Sequence, residues 1–282
     1  MQNTGRHAAA RRAVSWITRP GGRIAVVGAL TIGVVVTVTP ANGAATDLAS
    51  HVASAVRSLD AKTSQNGQAI TGTPAVGALF TTSNGKLGSH FCTASVVNSP
   101  HGDLAITAAH CVASMSSTME FIPGYNSGKA PYGMWKVTKV YVDAAWKQSQ
   151  SQNDDVAFAR LSQAGSTVPI EDVTGAETLA TGTAARQMVE VIGYPDGSNQ
   201  AIACENWTSQ PMADQLEFDC GGYTDGTSGG PFLTDVDTAT GQGTVIGIIG
   251  GYEQGGDTPQ VSYSIEFGKN VAGLYATAVA GG

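Results

Sequence analysis

From residue 76 to residue 265 the chain runs as short apolar stretches broken by glycine, asparagine, aspartate and serine. Stretches of that length, bounded by turn residues, are strands rather than core helices. Residues 76–82 and 87–97 flank Ser83, Asn84, Gly85 and Lys86, and Asn-Gly supplies the positive φ angles that a tight hairpin needs. Further strand candidates are 104–109, 135–142, 156–161, 188–192, 216–219, 245–249 and 261–265. Their regular spacing predicts an all-β sandwich or barrel. Val271, Leu274, Tyr275 and Ala278 fall at helical spacing and predict a terminal helix over residues 270–279.

Hydrophobic content of 42% against 13% charged residues fits a globular protein and argues against disorder. Residues 1–45 read as a secretory signal: Arg6, Arg11, Arg12, Arg19 and Arg23 without an acidic residue, an uncharged apolar run over 24–38, then Gly43, Ala44 and Ala45. The run is shorter than the roughly 20 residues of a spanning helix, which disfavours a retained anchor. Loss of the five arginines leaves 10 of the 15 basic residues against all 22 acidic ones, a net charge near −12. Such a balance disfavours nucleic acid and anionic membranes as partners. Residues 46–72 hold a short amphipathic pattern and a polar linker, as in a propeptide or N-terminal extension.

Four cysteines, all beyond the signal, imply two disulfides in an oxidising exterior. Four cysteines allow three connectivities, of which sequence proximity favours Cys92 with Cys111 and Cys204 with Cys220. A four-cysteine zinc site is the rival, weakened by the lack of any Cys-x-x-Cys pair. Asp235, Val236, Asp237 and Gly241 only faintly match a calcium loop, with Ile246 where a late glutamate is wanted, and read as a hairpin turn. No metal or cofactor is expected.

The chemistry centres on Gly226, Thr227, Ser228, Gly229, Gly230 and Pro231, a serine hydroxyl among bare backbone N–H groups. A nucleophilic serine needs a general base and a third group to orient that base. Of five histidines, His7 lies in the signal, His51 in the extension, His101 in a turn and His90 on a strand beside Phe91. His110, after Thr107, Ala108 and Ala109 and next to Cys111, is the best candidate base. The hexapeptide also satisfies the Gly-x-Ser-x-Gly elbow of α/β hydrolases, in which the histidine follows the serine. No histidine follows Ser228, which excludes that fold unless another group serves as base.

Thr107-Ala108-Ala109-His110-Cys111, with His90-Phe91-Cys92 upstream and residues 226–231 downstream, resembles the chymotrypsin-like (trypsin-like) serine protease family, of the bacterial secreted type. Asn153-Asp154-Asp155-Val156-Ala157-Phe158 resembles the family stretch whose aspartate before the branched apolar residue is catalytic. The resemblance spans roughly residues 75–280 and implies two antiparallel six-stranded β-barrels with a C-terminal helix. The first barrel would occupy 73–165, a connector 166–185, and the second barrel with the helix 186–282.

It also implies a catalytic triad of His110, Asp155 and Ser228, whose roles are those of the general template. The oxyanion hole would come from the backbone N–H groups of Gly226 and Ser228. The substrate pocket would draw on Gly222, Tyr223, Asp225, Gly250, Gly251 and Tyr252. The implied activity is that of a serine endopeptidase, secreted and monomeric, acting on protein or peptide substrates, with no membrane partner once the signal is removed. A catalytically weak binding module on the same scaffold and an esterase with the same triad are the alternatives.

The sequence departs from the family at three places. Thr227 stands where members activated by proteolysis carry an aspartate that pairs with a new N-terminus, so the oxyanion loop must be ordered without that ion pair. Gly250 and Gly251 replace Ser and Trp in the pocket wall, and no aspartate stands at the pocket base. Cys220 lies farther before the serine than usual.

Overall fold

The computed structural model describes residues 65–113 and 118–281. The signal, the helical pattern before residue 65 and the expected cleavage site lie outside the described residues. Among the described residues fourteen strands carry the fold. The first seven are β1 (Gln68–Ile70), β2 (Val76–Ser83), β3 (Lys86–Val97), β4 (Leu104–Thr107), β5 (Thr118–Pro123), β6 (Trp135–Val142) and β7 (Ala157–Ser162). The rest are β8 (Thr178–Leu179), β9 (Met188–Gly193), β10 (Ala201–Met212), β11 (Gln215–Asp219), β12 (Pro231–Thr234), β13 (Thr244–Ile248) and β14 (Val261–Ile265).

Strands β2 to β7 close an antiparallel barrel in the order β2-β3-β4-β7-β6-β5. The β2–β3 turn uses Asn84 and Gly85 at φ of 50° and 71°, as the Asn-Gly pair predicts. Leu79, Leu104, Ile106, Phe121, Trp135 and Phe158 are buried inside it, each worth roughly 1.5–3 kcal/mol of transfer free energy. That packed barrel is the rigid frame for the turns at its rim.

The second half is not the second six-stranded barrel expected. It is an open sheet of eight strands, β14-β11-β10-β9-β12-β13-β8, with β1 added on β10. Closure would need β13 to pair with β14 along its outer edge. The start of that edge is taken by β8, which pairs in parallel through Thr178 with Thr244 and Leu179 with Val245. At its end the Ile248 N–H donates to the Ser264 hydroxyl at 2.8 Å, where a ladder would use a backbone carbonyl. Just beyond, Gly250 N donates to Tyr263 O at 2.9 Å. These bonds make no ladder, and the sheet stays open. Its core gathers Val191, Phe218, Phe232 and Ile246.

Among the described residues the α-helices are α1 (Ala109–Val112), α2 (Ala144–Ser149), α3 (Glu171–Thr174) and α4 (Lys269–Ala280). The terminal helix α4 buries Val271, Leu274 and Ala278. Arg160 of β7 donates to Ala278 O at 2.8 Å and pairs with Asp103, a cation at the helix C-terminus. Among the described residues no helix is long and apolar enough to cross a membrane.

Candidate active site

His110 sits on the single turn α1 between buried Ala109 and Cys111. Cys111 is bonded to Cys92 of β3, and Cys204 to Cys220, the two pairings that proximity favours. All four sulfurs are consumed, so the grouping of Cys92, His110 and Cys111 offers no thiolates to a metal.

Asp155 follows a 3-10 turn, Gln152–Asp154, at the entry to β7 and is fully buried. A buried carboxylate must be met by donors. Asp155 has three: the His110 backbone N–H on Oδ1 at 2.9 Å, His110 Nδ1 on Oδ2 at 2.8 Å, and Gly251 N–H on Oδ2 at 2.9 Å. The carboxylate accepts only, so the ring proton stands on Nδ1 and leaves Nε2 as the free acceptor. Asp154 turns the other way, taking bonds from Ser151 Oγ at 2.7 Å and Asn270 Nδ2 at 3.1 Å.

Ser228 lies between Gly226 and Gly229, at φ of 90° and 82°. A Cβ on Gly226 would stand 2.6 Å from Tyr194 O and Asp196 N, and one on Gly229 2.3 Å from Thr93 O, so both positions demand glycine. Thr93 of β3 holds this loop from the barrel. Its N–H donates to Ser228 O at 2.8 Å, its hydroxyl donates to Gly226 O at 3.0 Å, and Tyr194 N donates to that hydroxyl at 2.9 Å. Thr227 is buried and bonds back to Thr224 O through its N–H at 3.1 Å and its hydroxyl at 2.7 Å. The loop is therefore ordered by neutral local bonds.

His110 and Ser228 line one cleft of about 720 Å³. Among the described residues the N–H groups of Gly226 and Ser228 meet no acceptor in the chain, and no hydrogen bond joins Ser228 Oγ to His110. Of the residues expected in the pocket, Tyr223 and Asp225 line this cleft, and Tyr223 is fixed by its hydroxyl to Val191 O at 2.6 Å. Burial pushes the Tyr223 hydroxyl far up, which keeps it a neutral donor. Gly222, Gly250, Gly251 and Tyr252 do not line the cleft. Gly250 backs onto Asp155, where a Cβ would stand 3.1 Å from its carbonyl and 3.2 Å from Oδ2, and Gly251 supplies a donor to the same carboxylate. The opposite wall comes from residues 253–259, in which Glu253, Gln254, Gly255 and Gly256 all have positive φ.

The motifs carry no sign of Thr93 or Gln215, two buried polar residues that hold the site together. A threonine or glutamine on the inward face of a strand, flanked by apolar residues, is the signal that could have found them.

Residues 88–248 match the model of the trypsin-like peptidase domain family. Among solved structures the chain is similar to the protease Anisep from Arthrobacter nicotinovorans, with 23% identity and a TM-score of 0.65 over 76% of this chain and 99% of that one. It is similar to the thermostable serine protease AL20 from an extremophilic microorganism, with 24% identity and a TM-score of 0.63 over 74% and 98%. It is also similar to the human heparin binding protein, with 13% identity and a TM-score of 0.56 over 77% and 96%. At these identities the likeness is one of fold. A comparison with curated proteins finds no match.

Proposed function

The chain belongs to the trypsin-like peptidase domain family, and from that premise we propose that it is a secreted serine endopeptidase. The observation that carries this reading is the buried Asp155 carboxylate bonded to Nδ1 of His110, a residue that lines one cleft with Ser228. The Ser228 hydroxyl adds to the scissile carbonyl carbon while its proton passes to His110 Nε2. The resulting oxyanion faces the free N–H groups of Gly226 and Ser228, and loss of one such donor costs roughly a hundred- to a thousandfold in rate. His110 returns the proton to the leaving amine, and the acyl group stays on Ser228. Water, deprotonated by His110, then adds to the acyl carbon, and the acid leaves as the bond to Ser228 Oγ breaks and His110 returns that proton to Oγ. Asp155 fixes the His110 tautomer and stabilises its cation.

A second reading, a binding module on the same scaffold, draws on the lack of a hydrogen bond between Ser228 Oγ and His110 and on the likeness to a protein named for what it binds. Catalytic bonds of this kind are often long before substrate arrives, so endopeptidase is the preferred reading. The test is a fluorophosphonate probe with a diverse peptide library. Covalent labelling of Ser228 and cleaved peptides support the peptidase; a folded protein that takes no label and cleaves nothing is the binding module.

A further inference from the structure

We infer that Gln215 is a positioning residue for the Asp155–His110 pair, an inference that rests on the peptidase reading of the cleft. Gln215 opens β11 of the open sheet, where it faces Ile265 of β14 and is 4% exposed. Its Oε1 accepts from Tyr252 N at 3.0 Å. Its Nε2 donates to Asn153 Oδ1 at 2.7 Å and to Gln152 O at 3.4 Å. Both ends lead to the carboxylate. Tyr252 follows Gly251, whose N–H is the third donor to Asp155, and Gln152 and Asn153 form the turn that delivers Asp155 to β7.

Gly251 itself lies against this amide: at φ 89° it has room for no side chain, since a Cβ would stand 2.5 Å from Gln215 Oε1. One planar group thus ties the acid-bearing turn of the barrel to the loop of the open sheet that holds the acid's second oxygen. The residue type follows from the task. An amide offers an acceptor on one atom and two donors on the other, whereas a carboxylate only accepts and a thioether of similar length does neither in any strength. Gln215 touches neither His110 nor Ser228 in any hydrogen bond among the described residues, so its action on them passes through Gly251 and the 152–154 turn.

The test uses the full chain with Gln215→Met, which keeps volume and loses all three bonds, and Gln215→Glu, which keeps the acceptor for Tyr252 and loses the donor to Asn153 and Gln152. Thr174→Val, which removes a buried hydroxyl bonded to Ile170 O in α3, serves as a control for destabilisation alone. The first readout is the low-field proton resonance of His110 Nδ1–H; the second is kcat and KM on a peptide from the library.

Gln215→Met is expected to shift or broaden that resonance and to lower kcat roughly tenfold to a hundredfold, the range for a displaced catalytic group, with KM within about twofold. Gln215→Glu falls between it and wild type, and Thr174→Val leaves the resonance in place. An unchanged resonance with unchanged kcat in a folded Gln215→Met, or in Gln215→Glu should the former not fold, overturns the inference, as does a loss of stability alone. A wild-type chain that takes no probe at Ser228 overturns the peptidase reading, while the resonance still tests Gln215, because the His110–Asp155 bond does not pass through Ser228.

Discussion

Thr93 of the closed barrel donates its backbone N–H to the carbonyl of Ser228 at 2.8 Å. The serine loop of the open sheet therefore takes its position from the barrel that carries His110 and Asp155. The Thr93 hydroxyl adds a second tie, to Gly226 O at 3.0 Å, while accepting from Tyr194 N. Replacing it with valine keeps the shape and leaves two buried backbone groups unpaired. Thr93→Val is expected to lose roughly 1–3 kcal/mol of stability and to slow fluorophosphonate labelling of Ser228. Thermal unfolding and labelling kinetics measure both; labelling at the wild-type rate would show that the backbone bond alone holds the loop.

The two adjacent aspartates separate cleanly by geometry. Asp155 takes two bonds from His110 and a third from the Gly251 N–H, and Asp154 faces the start of α4. Asp155→Asn presents an amide to Nδ1 and favours the wrong tautomer, for a fall in kcat of about 10⁴-fold. Asp154→Asn leaves kcat close to wild type. Steady-state kinetics on one library-derived peptide decide it, and equal losses in the two variants would contradict the assignment.

Glu177 is fully buried where the chain passes from α3 to β8; Oε2 accepts from Gly243 N at 2.6 Å and Oε1 has no partner among the described residues. Burial, with a smaller contribution from the charge of Glu190, pushes its carboxyl from the ordinary 4.5 up to about 8, against the Gly243 N–H, which favours the charged form. The folded chain then holds a proton there that the unfolded chain releases. Stability from this group is full below about pH 4.5 and is lost as pH rises toward about 8, with a slope approaching about 1.4 kcal/mol per pH unit. Glu177→Gln is expected to flatten the fall in Tm between these limits. A wild-type slope retained in the variant would place the titration elsewhere.

Strand β1 lies inside the stretch 46–72 that sequence alone reads as a propeptide or extension. Gly67 N donates to Gly221 O at 2.8 Å and Gly221 N to Gln65 O at 2.7 Å, beside the Tyr223 wall of the cleft. A chain beginning at Gln65 is expected to match the longer form, whereas one beginning at Thr71 loses about 1 kcal/mol of stability per backbone bond removed and binds substrate more weakly. Tm and KM of the two truncations provide the comparison; identical values would show β1 to be dispensable.

Most of the barrel is legible because its strands combine apolar runs with turn residues, as at Asn84 and Gly85. Strand β5, where Met119 and Phe121 alternate with Glu120, and the long β10, whose apolar pattern is broken by Asn206, Ser209, Gln210 and Pro211, are not among the strands the sequence predicts. Gly250 and Gly251 illustrate a different gap. The family resemblance implies a pocket wall there, yet Gly250 backs onto the Asp155 carboxylate and Gly251 bonds it through a backbone N–H. A backbone N–H leaves no trace in sequence.

Local spacing and residue chemistry carry the strand-rich character, the terminal helix and the order in which His110, Asp155 and Ser228 follow one another, and they favour the cysteine pairing found without fixing it. That the second sheet stays open, and which groups hold the site, emerges from long-range packing. Those outcomes turn on contacts between residues far apart in the chain: β8 occupying the edge of β13, the Ser264 hydroxyl bonding Ile248, Thr93 reaching Ser228 and Gln215 spanning Asn153 and Tyr252. Such contacts depend on which edges and buried polar groups meet once the chain has packed, and one-dimensional spacing does not encode that.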